Sequence, residues 1–361
     1  MTQNYIFIVG TRAQLIKVAP TIRVFEQHQM PTKFILTGQH KDTMDDLIQE
    51  FGITTQPIEL IKDKEHSSII ALLLWIPSII FLLLHTLRQN KKSYVFVHGD
   101  TLTTLFSTIT AKLSGHLVVH LESGLTSKNL FNPFPEEIIR RIVFKYTDIA
   151  CCPNPKDVQN MERYPKIRTL YTHGNTILDS IQYLKIGRNI EKRGNTILIS
   201  LHRFQNIYNK ERLHLIVNML IKLSNEYKIF FVLHPATQKK LNMYQLTILL
   251  DSNKNIKLLP RMTYQKFLNL ALTTDLVITD GGSNQEELAF FGHPTIILRE
   301  TTERQDGLGK NAILLNDTKC ILEYIRSRKY LSLKKNSQTL EISPSLIITE
   351  YFKNRKKSNG R

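Results

Sequence analysis

Short apolar runs recur along the chain, each closing on a glycine or a polar turn, and most lead into residues with helical spacing. Tyr5–Val9 is the first, turning at Gly10 into a helical pattern over Ile16–Gln27. Lys33–Thr37 precedes a helix over Thr43–Phe51 that stops at Gly52; Tyr94–His98 closes on Gly-Asp-Thr before Leu102–Leu113. Leu117–Leu121, a helix over Pro135–Tyr146 and a strand at Asp148–Cys152 complete the series. Runs of five apolar residues without strict alternation are what a strand covered on both faces requires, so the βα repetition predicts a parallel sheet.

A second series follows a break near Thr172–Ser180. Strands are expected at Thr196–Ser200, Ile229–Leu233, Ile256–Leu258, Leu276–Thr279 and Thr295–Leu298, with helices at Lys210–Glu226 and Tyr264–Thr273. The expected fold class is α/β: two Rossmann-like domains facing across a cleft, spanning 1–175 and 176–340. A final helix over 341–361, ending in a basic tail, is expected to pack back on the first domain. With 361 residues, two cores are expected rather than one.

One segment stands apart. Ser67–Leu87 has no formal charge and is long enough to span a bilayer. It lies between two strands of one expected sheet, and Pro77 and His85 interrupt it. A buried crossover helix is therefore the preferred reading, with peripheral membrane contact through 67–92 and the basic tail as an accompanying expectation.

The charge balance adds a preference for anionic ligands: 48 Lys+Arg against 31 Asp+Glu, a formal +17. No nucleic-acid motif accompanies it. Cys151, Cys152 and Cys320 form neither a disulfide framework nor a metal spacing. Met1 leads directly into a core strand, so no leader is expected, and a cytoplasmic location fits.

The candidate chemistry gathers where strands end. Gly10 opens a turn carrying Arg12 and Lys17. Asp100 follows Tyr94–His98, Glu122 follows Leu117–Leu121, and Glu136 starts a helix, so three carboxylates lie at the same edge of one sheet. Capping also accounts for acids at a helix start such as Glu136 and Glu137, whereas Glu122 interrupts an apolar strand. Carboxylates converging near Lys or His are what proton transfer at carbon needs. In the second half, His202-Arg203 and His234 end strands. Thr279-Asp280-Gly281-Gly282-Ser283 runs strand, glycine turn, helix, offering the amides of Gly282 and Ser283 to a phosphate, with Glu287 one turn on at ribose distance.

Nine segments in order resemble the non-hydrolysing UDP-N-acetylglucosamine 2-epimerases: GTRAQLIKVAP (10–20), TGQH (37–40), VHGDT (97–101), HLESGL (120–125), NPFPEE (132–137), HGNTILD (173–179), LHRFQN (201–206), TDGGSNQEE (279–287) and TTERQDG (301–307). The resemblance implies the glycosyltransferase-B architecture, a UDP-sugar substrate, no cofactor or metal, and a homodimer. It implies elimination of UDP to a 2-acetamidoglucal followed by re-addition, for surface polysaccharide precursor supply. By resemblance, Asp100, Glu122 and Glu136 are the acid/base carboxylates, with Lys17 and His202 as further catalytic positions. Arg12 resembles a phosphate-side arginine and Phe267 the aromatic under uracil. Gly282 and Ser283 match the diphosphate turn, Glu287 the ribose carboxylate, and Arg304 an arginine beside the ligand. The chain departs from the family pattern at Ala13-Gln14 (usually Pro-Glu), Thr126 (usually Arg) and Phe204-Gln205 (usually Arg-Glu), and its Gln39-His40-Lys41-Asp42 keeps part of an allosteric-site motif. The alternatives are a hydrolysing relative that releases free N-acetylmannosamine and UDP, and a membrane-associated glycosyltransferase or sugar-nucleotide binder.

Overall fold

The strand and helix signals resolve into two all-parallel sheets in a computed structural model that describes residues 4–38, 44–61, 69–130, 134–188, 190–302 and 304–358. The chain divides into two compact units, 1–184 with 340–361, and 185–339.

In the first unit the elements are β1 (Tyr5–Val9), α1 (Arg12–Gln27), β2 (Thr32–Leu36), α2 (Asp45–Glu50), β3 (Pro57–Glu59), α3 (Ile69–Arg88), β4 (Tyr94–His98), α4 (Leu102–Leu113), β5 (Leu117–Leu121), α5 (Glu136–Tyr146), β6 (Ile149–Cys152), α6 (Pro155–Met161), β7 (Arg168–Tyr171) and α7 (Ile177–Tyr183). The strands pair in the order β3-β2-β1-β4-β5-β6-β7. Strand order reverses between β1 and β4, the switch point where open α/β sheets bind ligands outside their carboxyl ends. Alternation within β1 serves both faces. Ile6 and Ile8 pack with Trp75, Ile79, Leu83 and Leu87 of α3. Tyr5 and Phe7 meet Phe25 of α1 edge-on, at 5.1 and 5.3 Å between ring centres.

The four buried α3 residues recur every fourth position, the stripe of a helix lying on a sheet. The uncharged segment is therefore a crossover helix over its described part, and Ser67 and Ser68 lie outside the described residues. Among the described residues no helix is long and apolar enough to cross a membrane. Helix α1 starts at Arg12, four residues before the apolar spacing begins. Thr11 and Gln14 form a reciprocal capping box that satisfies the first amides.

Thr176–Leu184 goes with the first unit because Ile177 and Ile181 are buried there and Ser180 Oγ donates to the Ile16 carbonyl of α1 at 2.5 Å. The second unit holds β8 (Thr196–Ser200), α8 (Phe204–Ile207), α9 (Lys210–Leu223), β9 (Lys228–Val232), α10 (Pro235–Met243), α11 (Leu246–Asp251), β10 (Ile256–Leu259), α12 (Tyr264–Thr273), β11 (Leu276–Thr279), α13 (Gly282–Phe290), β12 (Thr295–Ile297), β13 (Ala312–Leu314) and α14 (Thr318–Arg326). Its order is β10-β9-β8-β11-β12-β13, so a second switch point lies between β8 and β11. The last helix, α15 (Pro344–Ser358), returns to the first unit, where Phe352 closes the aromatic cluster over Tyr94 and Phe96.

Candidate active site

Each unit brings candidate residues to its own switch point: Arg12 and Asp100 follow β1 and β4, and His202 and Gly282 follow β8 and β11. In the first unit the turn after β1 and the turn after β4 are joined by Gln14. Its Oε1 accepts the amides of Gly10 and Thr11 at 2.9 and 3.2 Å. Its Nε2 donates to the His98 carbonyl at 2.7 Å and lies 2.9 Å from the hydroxyls of Thr101 and Thr104. An amide can serve both sides, whereas a carboxylate only accepts. Gly10 is required by packing: a Cβ there would lie 2.0 Å from Thr103 Oγ1.

Glu122 follows β5 in a left-handed conformation, φ 58°, which is costly for a residue with a side chain and recurs at functional sites. Its carboxylate is nearly buried and receives Lys17 Nζ at 2.5 Å and Asn175 Nδ2 at 2.6 Å on Oε1. His98 Nε2 lies 3.9 Å from Oε2. Asp100, in the turn after β4, is paired with Arg140, itself almost buried on α5. Glu136 starts α5, and its Oε2 is buried without a hydrogen-bond partner among the described residues. These three carboxylates thus meet three environments: a lysine and an amide, a guanidinium, and no partner on one oxygen.

His120 underlies this edge. Burial, followed in size by the opposing Gly99 hydrogen bond, pushes its pKa down to about 4, so it is neutral at working pH. Its Nε2 lies 2.8 Å from the Gly99 carbonyl, which can only accept, so Nε2 carries the proton and Nδ1 accepts from Ser123 Oγ at 3.0 Å. His120 therefore fixes the Gly99–Asp100 turn. Arg12 lies on the same rim, its guanidinium paired end-on with Asp46 of α2.

In the second unit Asp280, fully buried after β11, organises the turn after β8. It accepts the amides of His202 and Arg203 and the side-chain amide of Asn206, each at 3.0 Å. His202 Nδ1 lies 3.4 Å from the same carboxylate, and the ring stays partly exposed, 5.7 Å centre to centre from His234. Gly281 admits that ring: a Cβ would lie 3.1 Å from His202 Cε1 and 2.7 Å from Asn284 Oδ1. Helix α13 has no side-chain cap, so the first-turn amides of Gly282 and Ser283 are available to an anion. Glu287, buried one turn later, receives Asn284 Nδ2 at 3.2 Å. Arg304 pairs with Glu286 at 2.8 Å, and Gln285 Nε2 donates to the carbonyls of Arg304 and Asp306, fastening that loop to α13. Phe267 is half-buried in the first turn of α12.

The family model described as UDP-N-acetylglucosamine 2-epimerase matches residues 23–340. The chain belongs to the UDP-N-acetylglucosamine 2-epimerase family. It is 32% identical over 331 residues to the UDP-N-acetylglucosamine 2-epimerase of Methanocaldococcus jannaschii, covering 86% of this chain and 88% of that one. To the Methanococcus maripaludis enzyme of the same name it is 31% identical over 350 residues, covering 90% and 92%. Among solved structures, the Neisseria meningitidis UDP-GlcNAc 2-epimerase bound to UDP-GlcNAc matches with a TM-score of 0.81 at 26% identity, covering 98% and 100%. The Methanocaldococcus jannaschii UDP-GlcNAc 2-epimerase in complex with UDP-GlcNAc and UDP gives 0.80 at 27%, covering 97% and 99%.

Within this epimerase-family chain, the first unit carries Arg12, Lys17, Asp100, Glu122 and Glu136, and the second carries His202, Gly282, Ser283, Glu287 and Arg304. Sequence reasoning passed over Asn175, Arg140, His120 and Asp280. Asn175 and Asp280 stood inside quoted motifs, HGNTILD and TDGGSNQEE, and Arg140 stands one helical turn after Glu136. Gln39–Asp42, Asn132, Pro133 and Glu303 lie outside the described residues. Among the described residues no three His, Cys, Asp or Glu side chains group as metal ligands.

Proposed function

We propose that the chain is a non-hydrolysing UDP-N-acetylglucosamine 2-epimerase that eliminates UDP and adds it back. The observation that carries this reading is the set of three unlike carboxylates at one sheet edge. Glu122 is nearly buried beside Lys17, Asp100 is paired with Arg140, and Glu136 has an unpartnered buried oxygen. Carboxyl groups in unlike environments can take separate acid and base roles. In the forward step one carboxylate takes the C2 proton. The C–H electron pair becomes the second bond between C1 and C2, the C1–O bond breaks, and UDP leaves with the C1–O electron pair. In the return step a protonated carboxyl delivers a proton to the other face of C2 while a UDP oxygen rejoins C1.

The leaving diphosphate needs positive charge. Arg12, His202 and the first-turn amides of α13 would supply it, with Glu287 on the ribose and Phe267 under the base. The reading carries a homodimer with it.

Purified protein incubated with UDP-GlcNAc in heavy water and followed by proton NMR tests the proposal. UDP-ManNAc with deuterium at C2 in both epimers is expected. Free ManNAc and UDP would move the chain to the hydrolysing branch. Absence of both exchange and product would remove UDP-GlcNAc as substrate.

A further inference from the structure

Glu137 adjoins Glu136 but has no task in that chemistry, although its side chain is completely buried. Four donors converge on its carboxylate. Thr126 Oγ1 and Arg141 Nε, the latter at 3.3 Å, reach Oε1; the Ser127 amide at 3.0 Å and Arg140 Nη1 at 3.5 Å reach Oε2. Burial raises its pKa, but the hydrogen bonds from Thr126, Ser127 and Arg141 and the charge of Arg140 outweigh it and hold the group below the usual carboxylate range.

Arg140 has a second partner. Its Nη2 pairs with Asp100 in the turn after β4, so one almost buried guanidinium is shared by two carboxylates from different elements. From β5 and the turn after it, His120 and Glu122 are the titratable groups that face Arg140 or its neighbours. Thr126 and Ser127 belong to the loop that leaves β5 just after Glu122. With Arg141 the set Asp100, Glu137, Arg140 and Arg141 is neutral. Without it, the set would hold two carboxylates against one cation, and protonation of one acid is how such a site responds.

We propose that Glu137 is a positioning residue for the carboxylate cluster, sharing the charge of Arg140 with Asp100 and tying the loop after β5 to α5, and that Arg141 is the second cation that keeps it ionised. Half of the Arg140 fork is thereby committed to Glu137. Asp100 remains a better base than it would be against Arg140 alone. The inference rests on the elimination reading only for what Asp100 does, not for how it titrates.

The test is a titration that needs no turnover. Protein labelled with carbon-13 at the aspartate carboxyls, with the Asp100 signal assigned by Asp100→Asn, is followed by NMR over pH. In Glu137→Gln the Asp100 titration is expected about one pH unit lower, because a like charge is gone and Arg140 turns wholly to Asp100. Arg141→Met leaves Glu137 to take up a proton and frees Arg140 for Asp100, so it is expected to move the Asp100 titration the same way, and Arg141→Lys to leave it within about 0.3 unit. In the epimerisation assay Glu137→Gln should lose about 10- to 100-fold in kcat with KM within about threefold. An unmoved Asp100 titration in Glu137→Gln, or opposite directions of shift in Glu137→Gln and Arg141→Met, overturns the proposal. If Glu137→Gln does not fold, Arg141→Met and Thr126→Val decide it: both substitutions weaken the hold on Glu137 from part-exposed positions, and an unmoved Asp100 signal in both overturns the idea. A wild type inert toward UDP-GlcNAc would sink the functional reading and leave this titration standing.

Discussion

At the scale of single residues, the candidate site is built from acids whose surroundings differ. Glu136 Oε2 has no described partner, so Glu136→Gln should cost little stability, within about 0.5 kcal/mol. The same substitution should reduce deuterium incorporation at C2 by about 10²- to 10⁴-fold, measured by NMR in heavy water. Asp280 is the opposite case. Three donors at 3.0 Å depend on it inside the protein, so Asp280→Ala should lower thermal stability by about 2–4 kcal/mol as well as activity. The acids Glu122 and Glu136 were legible because Glu122 breaks an apolar run and Glu136 opens a helix. Asp280, Arg140 and Asn175 were not, because their side chains look ordinary until their partners are known. Those partners are remote: Asn175 meets Glu122 53 positions away, and Asp280 meets the His202 amide 78 positions away.

At the scale of elements, two buried histidines set a dependence on pH. Burial, the largest cause in each, lowers His120 to about 4 and His293 to about 3. Both are neutral in the folded chain near neutrality, while the unfolded chain takes up protons near pH 6.5. The unfolded state therefore binds more protons as pH falls below 6.5, and stability is lost through the window from about 6.5 down toward the folded values. At pH 5 the loss is about 2 kcal/mol for each. Urea midpoints measured between pH 7 and 5 should fall, and His293→Asn should flatten the part belonging to the second unit. The first unit also depends on α15. Asp179 of α7 accepts the Ser345 amide at 2.8 Å at the start of that helix. Asp179→Ala should weaken its docking by about 1 kcal/mol, read as lost amide protection in α15 ahead of the rest of the unit. The helix periods of α1 and α4 were visible along the sequence. Short pieces such as β3, β13 and α8 were not, since three or four residues carry no usable period.

At the scale of the whole molecule, each sheet order explains why motifs far apart along the chain meet at one edge of their own unit. Each order reverses once, and the strands flanking the reversal carry Gly10 and Asp100 in one unit, and His202 and Gly281 in the other. The proposed homodimer needs a contact surface, and on α3 Phe81 is 69% exposed, beside the exposed Pro77 and Ser78. Sedimentation should give twice the chain mass of 41.9 kDa, and Phe81→Glu should return it to a single chain without loss of helix content. A wild type that sediments as one chain would remove this expectation.

The sequence by itself determined the α/β class, the order of the longer elements and the strand ends at which the chemistry stands. Hydrophobic periodicity and turn residues are local, and they act before any distant partner is met. Only the tertiary structure decided which donors complete each acid. Strand order, not chain position, brings Asn175 and Lys17 onto Glu122, Arg140 onto Asp100, and Asp280 beneath His202. Those pairings exist because a parallel sheet with one reversal sets side by side the ends of strands that lie far apart along the chain.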